Sequence, residues 1–173
     1  MVQTFVPHAT AEACAAALDN KRLNKQINEA RQILRALEWL QATPPPDGKP
    51  PGYLNHPATL MWEGYADALA YYHNACMDEW ARRFNKNGKP TRNTRPRARH
   101  APTFSWPPWF GWRPLMLSHR RMLLSKDQAH YGAKFDSVPA EFLSFGYVWP
   151  TRVPAGLRWL PEACAADVCV PLS

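Results

Sequence analysis

The sequence predicts a mainly α fold: a compact, single-domain helical bundle whose helices are joined by long Pro/Trp-rich connections. Three observations carry this. Apolar residues recur every three or four positions along extended stretches. No segment shows the strict alternation of a half-buried strand. Eighteen prolines and eight tryptophans stand in a chain of 173 residues, which suits stiff, aromatic connections between helices. The length fits one core. With 46% hydrophobic and 20% charged residues, the composition is that of a folding chain. The expected domain spans 1–173, with a basic loop at about 85–103 and an irregular segment from about 132.

The first helix is expected over about 11–18. Thr10 can cap it, and Glu12 in its first turn is favoured by the helix dipole. A second helix runs from about Asn20 to Gln41 with Asp19 as its cap, and Leu23, Ile27, Ala30, Leu34 and Leu37 form its core stripe. The stretch TPPPDGKPPG (43–52) stops that helix and makes a rigid surface loop. A third helix starts at NHP, where Pro57 suits the first turn. It continues to about Phe84 along one apolar face of Met61, Tyr65, Ala68, Leu69, Tyr72, Cys76 and Trp80. The stretch NKNGKPTRNTRPRARHAP has no periodicity, and TFSWPPWFGWRP is an aromatic connection. A fourth helix follows from Pro114 to about Lys126, with Leu115, Met122 and Leu123 facing in. From Tyr131 onward the chain reads as irregular, with YVWP and LRWLP packed on the helices.

The net charge of +7 is unevenly spread. Between Trp80 and Lys126 lie twelve basic residues and no acid, whereas the rest carries nine basic and fourteen acidic residues. A basic segment on an otherwise acidic chain is the footprint of a polyanion partner. The interleaved tryptophans and prolines favour nucleic acid over a merely solvated charge run. No signal peptide or membrane span is expected. Cys14, Cys76, Cys164 and Cys169 match no zinc spacing and read as reduced thiols. These features point to a cytoplasmic protein with a nucleic-acid partner and no metal.

One acid stands out. At about 100° per residue, Arg22, Lys25, Gln26 and Glu29 share a narrow face of the second helix, which continues as Ile33 and Leu40. A stripe that turns apolar downstream leans on protein, so Glu29 is expected at the rim of a cleft beside cations and an amide. The plainer reading is a surface carboxylate in ordinary i,i+3 and i,i+4 pairs.

Four stretches, LDNKRLNKQINEARQIL, YLNHPATLMWEGYADAL, SHRRMLLSKDQAHYGAKF and YVWP, occur here in an order that resembles the pyrimidine-dimer DNA glycosylases, the endonuclease V type of ultraviolet repair enzyme. The resemblance covers most of the chain and implies a compact all-α fold. It adds double-stranded DNA as the partner, a monomer associated with the nucleoid, and no cofactor. It also implies an α-amino nucleophile at the mature N-terminus, here on Val2 or Met1, that forms a Schiff base with the sugar C1′. A glutamate on the following long helix, matched by Glu29, moves protons for base release and strand nicking. A free amine serves because its pKa near 8 leaves some base at neutral pH. The family's arginine beside that glutamate falls on Asn28, a departure for which Arg22, Lys25 or Arg31 could substitute as a phosphate contact.

The resemblance further places His56 as a sugar or phosphate contact, although capping its helix would serve equally as its role. It reads His119, Arg120, Arg121, Lys126 and His130 as phosphate contacts and Tyr131 as a base or sugar contact. Gln26 belongs to the DNA-facing group on the second helix. Arg95 and Arg97, with Arg92 and Arg99, supply the basic loop, while Trp106, Trp109 or Trp112 could stack on bases. Two other readings remain at this level. One is a DNA-binding protein that kept the scaffold without the chemistry. The other is a basic module for RNA or an acidic protein.

Overall fold

A computed structural model describes residues 2–44, 47–85, 97–135, 148–153 and 156–158. These residues are mainly α, and among them are six helices: α1 (Ala11–Ala17), α2 (Asn20–Gln41), α3 (Pro57–Leu60), α4 (Ala66–Phe84), α5 (Arg113–Leu124) and α6 (Gln128–Tyr131). Two three-residue strands, β1 (Thr151–Val153) and β2 (Gly156–Arg158), pair antiparallel with Arg152 opposite Leu157. The chain forms two compact units. One comprises 1–4 and 18–107, the other 5–17 and 108–173.

In the first unit α2 and α4 pack together. Asp19 caps α2 by accepting the Arg22 backbone N–H at 3.0 Å, and its other oxygen holds the Arg22 guanidinium at 2.6 Å. Leu23, Ile27, Ala30, Leu34 and Leu37 are all buried, as are Leu69, Tyr72 and Cys76 on α4. Each such leucine contributes about 1.5–3 kcal/mol relative to exposure. The expected stripe beyond Glu29 holds at Ile33 but ends there, because Leu40 in the last turn is 42% exposed.

The single helix expected from Pro57 to Phe84 is two helices. His56 caps α3, its Nδ1 accepting the Ala58 N–H at 3.1 Å. The chain then turns at Gly64, whose φ of +83° a side chain would resist, and restarts at Ala66. The break lets Trp62 turn inward, fully buried, to donate its indole N–H to Thr4 Oγ1 at 2.9 Å. At the far end of α4, Arg83 donates to the Leu18 carbonyl at 2.7 Å and is held by Glu79. Arg82 first, then Arg83, keep the Glu79 carboxyl below its usual range.

The second unit gathers α1, α5, α6 and the strand pair. Its core holds Phe5, Val6, Cys14, Trp109, Leu115, Leu117, Leu123, Tyr131 and Phe135. Thr10 caps α1 through the Ala13 N–H. Two expectations change here. A short helix not expected from sequence, α6, is capped by Asp127 accepting the His130 N–H, and a strand pair lies within the segment read as irregular from Tyr131. Met122 is only half-buried, whereas Leu117 fills the core place on α5. Cys14 and Cys76 are buried and form no disulfide, and the Cys14 thiol donates to the His8 carbonyl at 3.2 Å. Cys164 and Cys169 lie outside the described residues.

Candidate active site

The first unit brings the start of the chain onto α2 and α4. Val2, Gln3 and Thr4 are buried, so residues two to four run through the interior. Gln26 ties them down. Its amide nitrogen donates to the Gln3 carbonyl at 2.7 Å and to Glu29 Oε2 at 3.3 Å. Its amide oxygen accepts the Tyr72 hydroxyl of α4 at 2.7 Å. One amide therefore links the chain start, the acid and the neighbouring helix, and its own burial is compensated by those bonds.

Glu29 is 5% exposed, far more enclosed than an ordinary helix-surface acid. Lys25 Nζ lies 3.5 Å from Oε1, while most of the Lys25 side chain stays in solvent. Burial raises the Glu29 pKa above its usual range. Lys25, a hydrogen bond from the Gln3 backbone and the charge of the amino terminus pull the other way without cancelling that effect. A carboxyl whose pKa is raised by burial holds a proton more readily than a solvated one, which suits a group that moves protons. The terminal charge also acts on His56, whose pKa is lowered chiefly by burial. Met1 itself lies outside the described residues.

The other expected site residues divide. Arg22 is held by Asp19. Arg31 lines a cleft on another face of α2, and Arg97 pairs with Asp78 of α4, with Nη2 to Oδ2 at 2.9 Å. Arg92 and Arg95 lie outside the described residues. Asn28, where the resemblance places an arginine, turns its amide back onto the Asn24 carbonyl at 2.9 Å.

In the second unit two expected DNA contacts are interior groups. His119 is fully buried with Nδ1 accepting the Val6 N–H at 2.9 Å, and burial pushes its pKa down to about 3. Such a neutral, enclosed ring cannot hold a phosphate. Tyr131 is also fully buried, stacked on Phe135. Arg120 donates to the Pro7 carbonyl at 2.8 Å and lies over the Phe135 ring. His130 faces the Ala17 carbonyl at 3.3 Å. Arg121 is half-buried, with Nη1 3.5 Å from Met122 Sδ, and Lys126 is exposed. Among the tryptophans Trp109 is core, Trp112 is half-buried and Trp106 is 36% exposed.

Sequence reading missed a polar stripe on α4. Asp67, Tyr71, Asn74 and Asp78 recur at four, three and four, and each engages the segment 97–101. Asp78 pairs with Arg97. Asn74 bonds both the N–H and the carbonyl of Ala98 at 2.9 and 2.8 Å. Tyr71 meets the His100 ring edge-on, and Asp67 accepts the Ala101 N–H at 2.9 Å. The helical spacing of these residues was legible; their partner was not. Among the described residues, no group of three His, Cys, Asp or Glu could hold a metal ion. No described helix is long and apolar enough to cross a membrane.

No curated protein and no solved structure matches the chain. A family model described as pyrimidine dimer DNA glycosylase matches residues 2–91, more than half of the chain and most of the first unit. The chain belongs to the pyrimidine dimer DNA glycosylase family.

Proposed function

We propose that this member of a DNA glycosylase family releases a damaged or modified pyrimidine from duplex DNA and then nicks the strand, using its terminal amine and Glu29. The amine lone pair adds to C1′ while the glycosidic bond breaks, and the departing base takes up a proton. The C1′–O4′ bond then breaks, the ring oxygen taking up a proton as the nitrogen loses one, which leaves an iminium. Removal of a C2′ proton then expels the 3′ phosphate by breaking the C3′–O bond, and water hydrolyses the remaining imine to free the amine. A carboxylate beside C1′ stabilises the cationic sugar and carries the protons. Lys25, whose side chain lies mostly in solvent, holds a flanking phosphate, and His56 contacts the sugar or a phosphate through the ring nitrogen that does not cap α3.

The observation that carries this reading is the position of Glu29. It is a buried acid with a raised pKa, bonded to Gln26 and to the Gln3 backbone, where the first residues of the chain lie against α2. Placement matters because rate depends steeply on the position of reacting atoms, so the residue bearing the amine, Val2 or Met1, decides activity. A specific observation favours a second reading, a scaffold that binds DNA without chemistry. Asn28 offers its amide to its own helix and supplies no cation. Borohydride reduction on abasic-site duplex DNA separates the two. A covalent adduct that disappears on N-terminal acetylation supports the imine, and no adduct with intact DNA binding leaves the second reading.

A further inference from the structure

A second cleft lies in the first unit, away from Glu29. On α2, Arg31, Arg35 and Glu38 sit about 180–240° around the helix from Glu29, beyond the far edge of the core stripe. With His73 of α4 and with Arg97 and Arg99 they line a cavity of about 280 Å³. We propose that this cleft is an anion site that takes a phosphate group of a nucleic-acid strand, separate from the Glu29 face.

The charges support it. Among the described residues, Arg31, Arg35, Arg97 and Arg99 line the cleft with one carboxylate, Glu38, and Asp78 pairs with Arg97, so the lining is rich in positive charge. Arg31 and Arg35 are four apart, a spacing at which like charges weaken a helix. Among the described residues no acid forms an ion pair with Arg35 or Arg99. Guanidinium forks match phosphate oxygens in pairs. The volume falls just below the roughly 300–1,000 Å³ of pockets for drug-sized ligands, enough for a phosphate with adjoining sugar and too small for a folded partner.

The wall carrying two of these arginines is built in advance. Asn74 is 5% exposed and holds both backbone groups of Ala98. Arg97 and Arg99 flank that residue, so their backbone is fixed before any ligand arrives. Immediately beyond, His100, Phe104 and Trp106 surround Tyr71 with ring centroids 5.4–5.7 Å apart. Trp106 is partly exposed. Aromatic rings beside a basic groove are how single strands are held without sequence preference, which favours a strand over a free phosphate.

The test uses the full chain and Arg35→Gln/Arg99→Gln, with Asn74→Ala as a variant that keeps every charge. Salt dependence of duplex binding is measured, and inorganic phosphate is titrated while the Ala98 amide is followed by NMR. The expected result is a salt slope lower by about 1.8 in the double variant, 0.9 for each lost phosphate contact. Asn74→Ala should weaken duplex binding at unchanged net charge, and a phosphate-dependent Ala98 shift should be lost in the double variant. An unchanged slope with a phosphate shift that the double variant abolishes would keep the site and assign it to a free phosphate ligand. An unchanged slope with no phosphate response would overturn the proposal. Neither outcome depends on Glu29, because both are read from binding alone.

Discussion

Glu29→Gln separates chemistry from architecture, because the structure allows both effects to be sized. Glutamine has nearly the same shape, and its oxygen can still accept from Gln3 and Gln26. The change removes one ion pair, with Lys25 at 3.5 Å and 62% exposed, a type worth about 0–1 kcal/mol. It also removes a buried charge whose desolvation is the largest influence on its pKa. Since the folded pKa is raised, the stability contributed by protonated Glu29 is full below the unfolded value near 4.5 and is lost as pH rises through the folded value. Above that window the glutamine variant escapes this loss, so its melting temperature should stay within a few degrees of the parent or exceed it. Base release should fall by at least about 10²-fold, or about 2.7 kcal/mol in activation free energy. Single-turnover glycosidic-bond cleavage and nicking on dimer-containing duplex measure the loss, with anisotropy for affinity and a thermal melt for the fold. Affinity should be unchanged or slightly tighter, since a negative group near phosphates is gone. A large fall in melting temperature with full turnover per folded molecule would refute the reasoning and make Glu29 a structural ion-pair partner.

Neutralising Arg92, Arg95, Arg97 and Arg99 together should weaken binding to all duplexes alike and lower the salt slope by up to about 3.6; an unchanged slope in a filter-binding series would take this segment off the DNA. Asp19→Ala removes both the cap of α2 and the partner of Arg22, and should cost about 1 kcal/mol in urea denaturation. His119 has a folded pKa of about 3, below its usual 6.5, so its contribution is present above pH 6.5 and is lost as pH falls toward 3. Each pH unit in that window should withdraw up to about 1.4 kcal/mol, visible as faster hydrogen exchange at the Val6 amide. EDTA should leave base release intact, since imine chemistry requires no Lewis acid; loss of activity restored by magnesium would indicate a hydrolytic nuclease.

The helices were legible where one periodic stripe governed the whole element. Asp19 to Gln41 carries cap, stripe and stop in sequence, and α2 has those bounds. The break between α3 and α4 was harder to see, because Met61 and Leu69 are buried on either side of it and preserve an apolar pattern across the turn. Gly64 was the local signal, but an isolated glycine inside a helical pattern is often tolerated. The short α6 depends on Asp127 capping four residues, too short a run for periodicity to register.

Side-chain roles were legible only as far as the helix face. Gln26 and Glu29 could be placed together by spacing, but the third partner, the Gln3 carbonyl, comes from 23 residues away, and no local pattern encodes it. His119 and Tyr131 failed for the same reason. Within a polar stretch both looked like contact residues, yet the Val6 N–H, 113 residues away, gives His119 a buried partner. Polar residues on α2 and α5 thus look alike in sequence and differ in structure through which backbone group meets them. Val6 N–H satisfies the ring of His119 and leaves it neutral. The Gln3 backbone instead faces an acid that stays desolvated with one cation at its edge, an arrangement that raises its pKa. A histidine closed in this way only stabilises. An acid desolvated beside the chain start, its burial only partly offset by Lys25 and the Gln3 backbone, presents a charge that chemistry can use.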